Sequence, residues 1–256
     1  MVLLGVRAIC SSRKRLIAVI CSSQLERCSG YGSRVQLHKA DVVDAATALL
    51  DSYGIADLTM RRLARELDVS PGALYWHFPN KQALLGAVAD RILQPARGQL
   101  AAAGWRGRVT EIGGLLRDAL LSHTDGAELA SASFAAGQSA AMADIVARLA
   151  AAATEAGVPS EQAELAARTV VYYVLGFTAD EQSRLQWDAA GAALADGQSA
   201  LTTDPTSRFA FGLRLLVDGM ARVPRSTRAL RSASSEHANV DVDDIRDWRA
   251  PPVLER

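Results

Sequence analysis

The chain has 256 residues, 49% of them apolar and only 5% aromatic, with no net charge. That is room for one large or two modest domains, and an Ala-rich, aromatic-poor composition favours helix over sheet, so an all-α fold is expected. No apolar run approaches the roughly 18 residues of a membrane span, and three cysteines, Cys10, Cys21 and Cys28, without paired short spacing argue against a disulfide scaffold or a zinc site. A reducing, cytoplasmic setting follows from that cysteine usage.

Charge is unevenly spread. Residues 1–36 carry six basic and one acidic side chain, 37–97 carry seven of each, and 98–222 carry nine basic and fourteen acidic. The front is therefore positive and the body negative, as in a chain that meets nucleic acid with one end. Residues 1–36 read as a disordered basic arm. Residues 13–21 have a basic and then apolar order, but Leu16–Cys21 is too short for a secretion signal.

Helix signals begin at Lys39. Val42, Val43, Ala46, Leu49 and Leu50 recur at helical spacing as far as Tyr53, with Gly54 as a terminator. A second helix is expected at 59–67 and a third at 71–77, where Ser70 can cap and Pro71 takes the first helical position. Asn80 can cap a fourth, 81–96, weakened at its end by Pro95 and Gly98. Further helices are expected at about 109–123, 125–134, 138–156, 160–186 and 206–222, divided by turn signals. The tail from Val223 reads as disordered. The second and third helices with their short turn make a helix-turn-helix, in which the second helix enters the major groove.

Residues 58–85, LTMRRLARELDVSPGALYWHFPNKQALL, resemble the DNA-binding signature of the TetR family. The segments 120–129, 173–182 and 209–220 are similar to parts of the tetracycline-repressor type of C-terminal domain, so the resemblance spans about residues 37–222. It implies a DNA-binding head (37–80), a helical ligand-binding and dimerisation body (81–222), and repression relieved by a small organic effector. Carried over by position, Thr59 and Arg61 fall where the family's second helix touches DNA. Pro71, Gly72 and Ala73 fall at the groove-facing start of the recognition helix. Tyr75, Trp76 and His77 match backbone-anchoring side chains, with packing of Trp76 under the first helix left open, and Lys81 matches a phosphate-binding lysine. Asp68 stands where the family has glycine; Asp can adopt the left-handed conformation at some cost. Pro71 and Ala73 replace polar base-reading side chains, which implies a different operator from that of tetracycline repressors. Two-fold symmetry implies a palindromic site with recognition helices about 34–36 Å apart.

For the effector, the resemblance places His123, with Asp180 or Glu181 of a partner subunit, at a magnesium–drug site. Arg97, Trp105 and Val109 depart from the drug pocket around it. The expectation is therefore an organic ligand bound without an essential metal, planar and bearing an acidic or phenolic oxygen, near Arg97 and Trp105. Magnesium held by His123 and Asp180 is the alternative. The last two helices are apolar over more than one stripe, which fits an ordinary core or a dimer interface; the resemblance favours the interface, formed by Val170, Val174, Phe209, Leu213 and Leu216. No phosphate-binding glycine loop, GxSxG or HExxH occurs, so no enzyme class is indicated. A ligand-binding or enzymatic protein that keeps the fold without operator binding is the competing reading, as is an activator or architectural DNA binder without a ligand.

Overall fold

The computed structural model describes residues 37–191 and 204–223. The basic arm (1–36) and the tail beyond Val223 lie outside them. The described residues contain helices and no strand. In chain order these are α1 (Lys39–Tyr53), α2 (Met60–Glu66), α3 (Pro71–Tyr75), α4 (Lys81–Ile92), a 3-10 turn (Gln94–Arg97), α5 (Trp105–Leu121), α6 (Gly126–Ala135), α7 (Ala140–Ala156), α8 (Ser160–Ala189) and α9 (Pro205–Met220).

Local chemistry sets the boundaries. Asp41 accepts the His38 N–H at 2.9 Å to open α1, and α1 ends at Gly54, whose N–H reaches the Leu50 carbonyl at 2.8 Å. Gly54 has φ +79°, and a Cβ there would stand 2.5 Å from an Asp125 oxygen, so both conformation and space call for glycine. Thr59, Ser70 and Asn80 cap α2, α3 and α4 by accepting the N–H groups of Arg62, Ala73 and Ala83. Asp68 in the turn before α3 takes φ +52°, the left-handed conformation expected of it. The fourth helix is shorter than expected. Pro95 has no N–H to continue an α-helical ladder, and the chain passes into the 3-10 turn after Ile92.

Leu50, Leu58, Leu63, Leu74 and Phe78 are almost fully buried and form the core of α1–α3. α4 joins this head to the rest by packing on α1 on one side and on α6 and α7 on the other. In the body α5 is central, contacting α6, α7, α8 and α9. Its Val109, Ile112, Leu116 and Leu120 meet a core that includes Leu129, Met142, Ile145, Leu149, Val170, Val171 and Val174, all at most 1% exposed. α9 lies on α5 and α8. Leu213 sits against Gly113, and the Tyr173 hydroxyl donates to the Phe209 carbonyl at 2.8 Å. Burial pushes the Tyr173 phenol up, against the pull of the nearby Arg117 charge, which keeps it a donor.

Candidate functional site

The head presents a short exposed helix with aromatic side chains at its end. α3 spans five residues rather than the seven expected, and the chain leaves it in a tight turn in which the N–H groups of His77 and Phe78 both reach the Leu74 carbonyl. That turn buries Leu74 and Phe78 and turns Tyr75 and Trp76 outward, 51% and 91% exposed. The possibility that Trp76 packs under α1 is thereby overturned. Pro71 and Gly72 are exposed at the start of α3, and Ala73 and His77 are half-buried. Thr59 and Arg61 are exposed at the start of α2, and Lys81 is half-buried as the first residue of α4. Two cations, a phenol and an indole N–H on one small head can hydrogen-bond phosphate oxygens, while Pro71 and Gly72 admit close approach of α3 to a groove. Arg62, which carried no assigned role, is held within the head. It pairs with Asp57 at 2.5 Å, and its guanidinium lies 3.7 Å from the Tyr53 ring centre.

The six residues expected at the effector do not come together. Arg97 is exposed and pairs with Asp144 at 3.4 Å. Trp105 is half-buried as the first residue of α5, with the Arg106 guanidinium 4.3 Å from its ring. Val109 is fully buried in the core. Glu181 is buried and held by both arms of Arg117, at 2.9 and 2.7 Å, with the Phe209 ring 5.1 Å from that guanidinium. Asp180 is exposed. None of these residues lines either of two surface grooves, of about 610 and 370 Å³. Within this chain Arg97 lies beside Asp144 and Trp105 beside Arg106.

His123 has a different partner from the one expected. Its Nδ1 lies 2.9 Å from an Asp51 oxygen near the end of α1. The same Asp51 accepts the Thr124 N–H at 3.3 Å, and the Thr124 hydroxyl donates to the Asp51 carbonyl at 3.0 Å. Asp125 completes the joint by accepting the Ile55 N–H at 2.9 Å. Residues 123–125, between α5 and α6, therefore fasten the head to the body. From the other side Gln182 donates to the Leu120 and His123 carbonyls and accepts the Ala127 N–H. Within this chain His123 is engaged by Asp51, Glu181 by Arg117, and Asp180 is exposed. Nothing in the sequence marks the joint, because Ile55 and Asp125 lie 70 positions apart and Asp51 and His123 lie 72 apart.

The expected dimer interface is also redistributed. Val170 and Val174 are fully buried, Leu213 is 1% exposed and Phe209 is 5% exposed within the single chain, so they have almost no surface to offer a partner; Leu216 is half-buried. The large apolar side chains left exposed on the same two helices are Leu165 and Tyr172 of α8 and Phe211 and Leu215 of α9.

Comparison with known proteins bears on both parts. Residues 42–88 match the family described as bacterial regulatory proteins, tetR family, and residues 97–223 match the tetracyclin repressor-like C-terminal domain. The chain is 31% identical over 202 residues to the tetracycline repressor protein class A from transposon 1721 of Escherichia coli, covering 73% of this chain and 92% of that one. It is 65% identical to BioQ of Mycobacterium smegmatis, whose crystal structure superposes with a TM-score of 0.68 over 73% of this chain and 98% of that one. A structure of BioQ with its natural double-stranded DNA operator gives 61% identity and a TM-score of 0.64, covering 73% and 99%. With head and body each matched in order along one chain, the protein belongs to the tetR family of bacterial regulatory proteins.

Proposed function

We propose that this chain represses transcription as a homodimer that holds a palindromic operator with its two heads, and that an organic effector releases it without an essential metal. The observation that carries the operator contact is the outward placement of Tyr75 and Trp76 beside α3, with Arg61 and Lys81 on the adjoining helices. Similarity to BioQ, solved with its double-stranded operator, supports the same reading. The chain is a ligand-responsive DNA-binding repressor of this family. It acts by binding rather than by catalysis, in the cytoplasm with the DNA; among the described residues no helix is long and apolar enough to cross a membrane. In this reading Thr59, Arg61, Tyr75, Trp76, His77 and Lys81 hold the backbone, and Pro71, Gly72 and Ala73 face the groove. Dimerisation uses Phe211 and Leu215, with Leu216 at the edge.

The test is fluorescence anisotropy of a labelled duplex from the region upstream of the chain's own gene, at several salt concentrations. Tight, salt-dependent binding that a scrambled duplex does not reproduce is expected. Equal affinity for both duplexes would refute operator recognition. It would favour instead a protein that keeps the fold without reading DNA, a reading motivated by Pro71 and Ala73, which offer no side-chain donor. Titrating effector candidates with and without EDTA checks the metal: release is expected to be the same in both, and release only with magnesium would restore a metal-dependent effector.

A further inference from the structure

α3 begins with three residues that carry no hydrogen-bonding side chain. Pro71 and Gly72 are exposed and Ala73 is half-buried. The nearest hydroxyl, that of Ser70, is turned back on the helix, where its oxygen accepts the Ala73 N–H at 3.3 Å. On α2 the Thr59 oxygen is likewise engaged by the Arg62 N–H at 3.2 Å, and Arg62 itself is held by Asp57 and Tyr53. Recognition of a base edge by hydrogen bonds therefore has no side chain to act through at residues 71–73. Gly72 adds a second observation. Its backbone is not left-handed, and a Cβ built on it would meet only the Ser70 hydroxyl oxygen, at an ordinary 3.8 Å. The chain itself has no use for glycine there, and glycine within a helix is less stable than alanine. Gly86 and Gly126 differ, since a Cβ on either would run into a backbone oxygen, of Gln138 or of Leu120. What Gly72 spares is space outside the chain, on the side where α3 faces a groove.

A small apolar surface suits one feature of the bases. In the major groove the C5-methyl of thymine is the apolar group that a base pair presents; the other edges are donors and acceptors, which an apolar side chain leaves without a partner. We propose that each operator half-site sets thymine methyl groups against the Pro71 ring and the Ala73 methyl, with Gly72 the point where the α3 backbone comes closest to the groove. α3 then reads A·T pairs by methyl contact rather than by hydrogen bonds. The proposal rests on the repressor reading and deepens it by naming the base chemistry of the operator. Pro71 and Ala73 are in this account readers of sequence, and their lack of donors is the means of reading.

The experiment uses the full dimeric chain. It selects duplexes from a random pool, and the selected site is then made with single thymines replaced by uracil, which removes the methyl and keeps every hydrogen-bonding group. Anisotropy at fixed salt is expected to find one or two symmetric positions per half-site where uracil weakens binding, about fourfold in one half-site and about fifteenfold in both. Ala73→Gly and Pro71→Gly are each expected to abolish the difference between thymine and uracil at the position that residue touches. Gly72→Ala is expected to melt about 1–4 °C higher than the parent, yet to bind the selected site at least tenfold more weakly. Circular dichroism and sedimentation verify fold and dimer. Uracil without effect at every thymine of the site overturns methyl readout, as does a uracil effect that survives both Ala73→Gly and Pro71→Gly. A Gly72→Ala chain that binds like the parent, or that melts lower, overturns the close approach. If the chain enriches no sequence, the repressor reading falls and this inference with it; an enriched site indifferent to uracil removes the inference alone.

Discussion

Leu213 and Leu215 are two positions apart on α9, and a glutamate at each is expected to do different things. Leu213 is 1% exposed and lies against Gly113, so Leu213→Glu buries an unpaired carboxylate in the chain's own core. Together with the lost apolar burial this costs several kcal/mol, a large share of the roughly 5–15 kcal/mol that holds a domain folded. Leu215 is 57% exposed. In one chain Leu215→Glu is nearly neutral, within about 0.5 kcal/mol. Across a two-fold interface it counts twice. If the 57% exposed part is covered by the partner, each subunit forfeits roughly 1–1.5 kcal/mol of apolar burial and desolvates a carboxylate at about 1 kcal/mol or more. The sum, about 4–5 kcal/mol per dimer, weakens association roughly a thousandfold or more. Sedimentation velocity over a concentration series reads the association, and thermal melts by circular dichroism read the fold. Leu215→Glu should be a folded monomer at micromolar concentration, and Leu213→Glu a strongly destabilised chain. A Leu215→Glu protein that stays dimeric at nanomolar concentration, or a Leu213→Glu protein that is folded and monomeric, refutes this placement of the interface.

Lys81→Ala should weaken binding to every duplex and reduce the slope of log affinity against log salt by about one, as for one lost phosphate contact; an unchanged slope removes Lys81 from the interface. Asp68→Gly should raise stability by roughly 0.5–1 kcal/mol, because glycine adopts φ +52° without strain but loses more freedom on folding; chemical denaturation measures it, and a loss of stability would mean the aspartate side chain matters more than its backbone. Glu111 is held below the usual glutamate range chiefly by the Ala101 and Ala102 N–H groups it accepts. Its contribution is present above the unfolded-state value and is lost as pH falls through the lower folded value. Glu111→Gln should therefore show a shallower acid decline in melting temperature than the parent, with an identical decline as the contrary result.

Short-range chemistry was readable without coordinates. Ser70 and Asn80 cap the helices they were expected to cap, Asp68 turns left-handed between α2 and α3, and the apolar spacing of α5–α9 places their ends within a few residues. These features depend on neighbours within one or two helical turns, which a linear pattern records. Periodicity also marked α8 and α9 as apolar on more than one side, but not which side meets this chain and which is left open. Burial of Leu213 beside exposed Leu215 follows from where α5 lies, a fact about the packed molecule. The same holds for chemistry at a distance. Asp51 and His123 are 72 positions apart, and Arg117 and Glu181 are 64 apart. A histidine that resembled a metal ligand became a fastening for the head, because the packing of α1 on α4 and of α4 on α6 brings Asp51 to it. Sequence sets which helices form and what chemistry each carries; only the packed structure sets which charge meets which, since that pairing is decided by helix contacts between residues far apart along the chain.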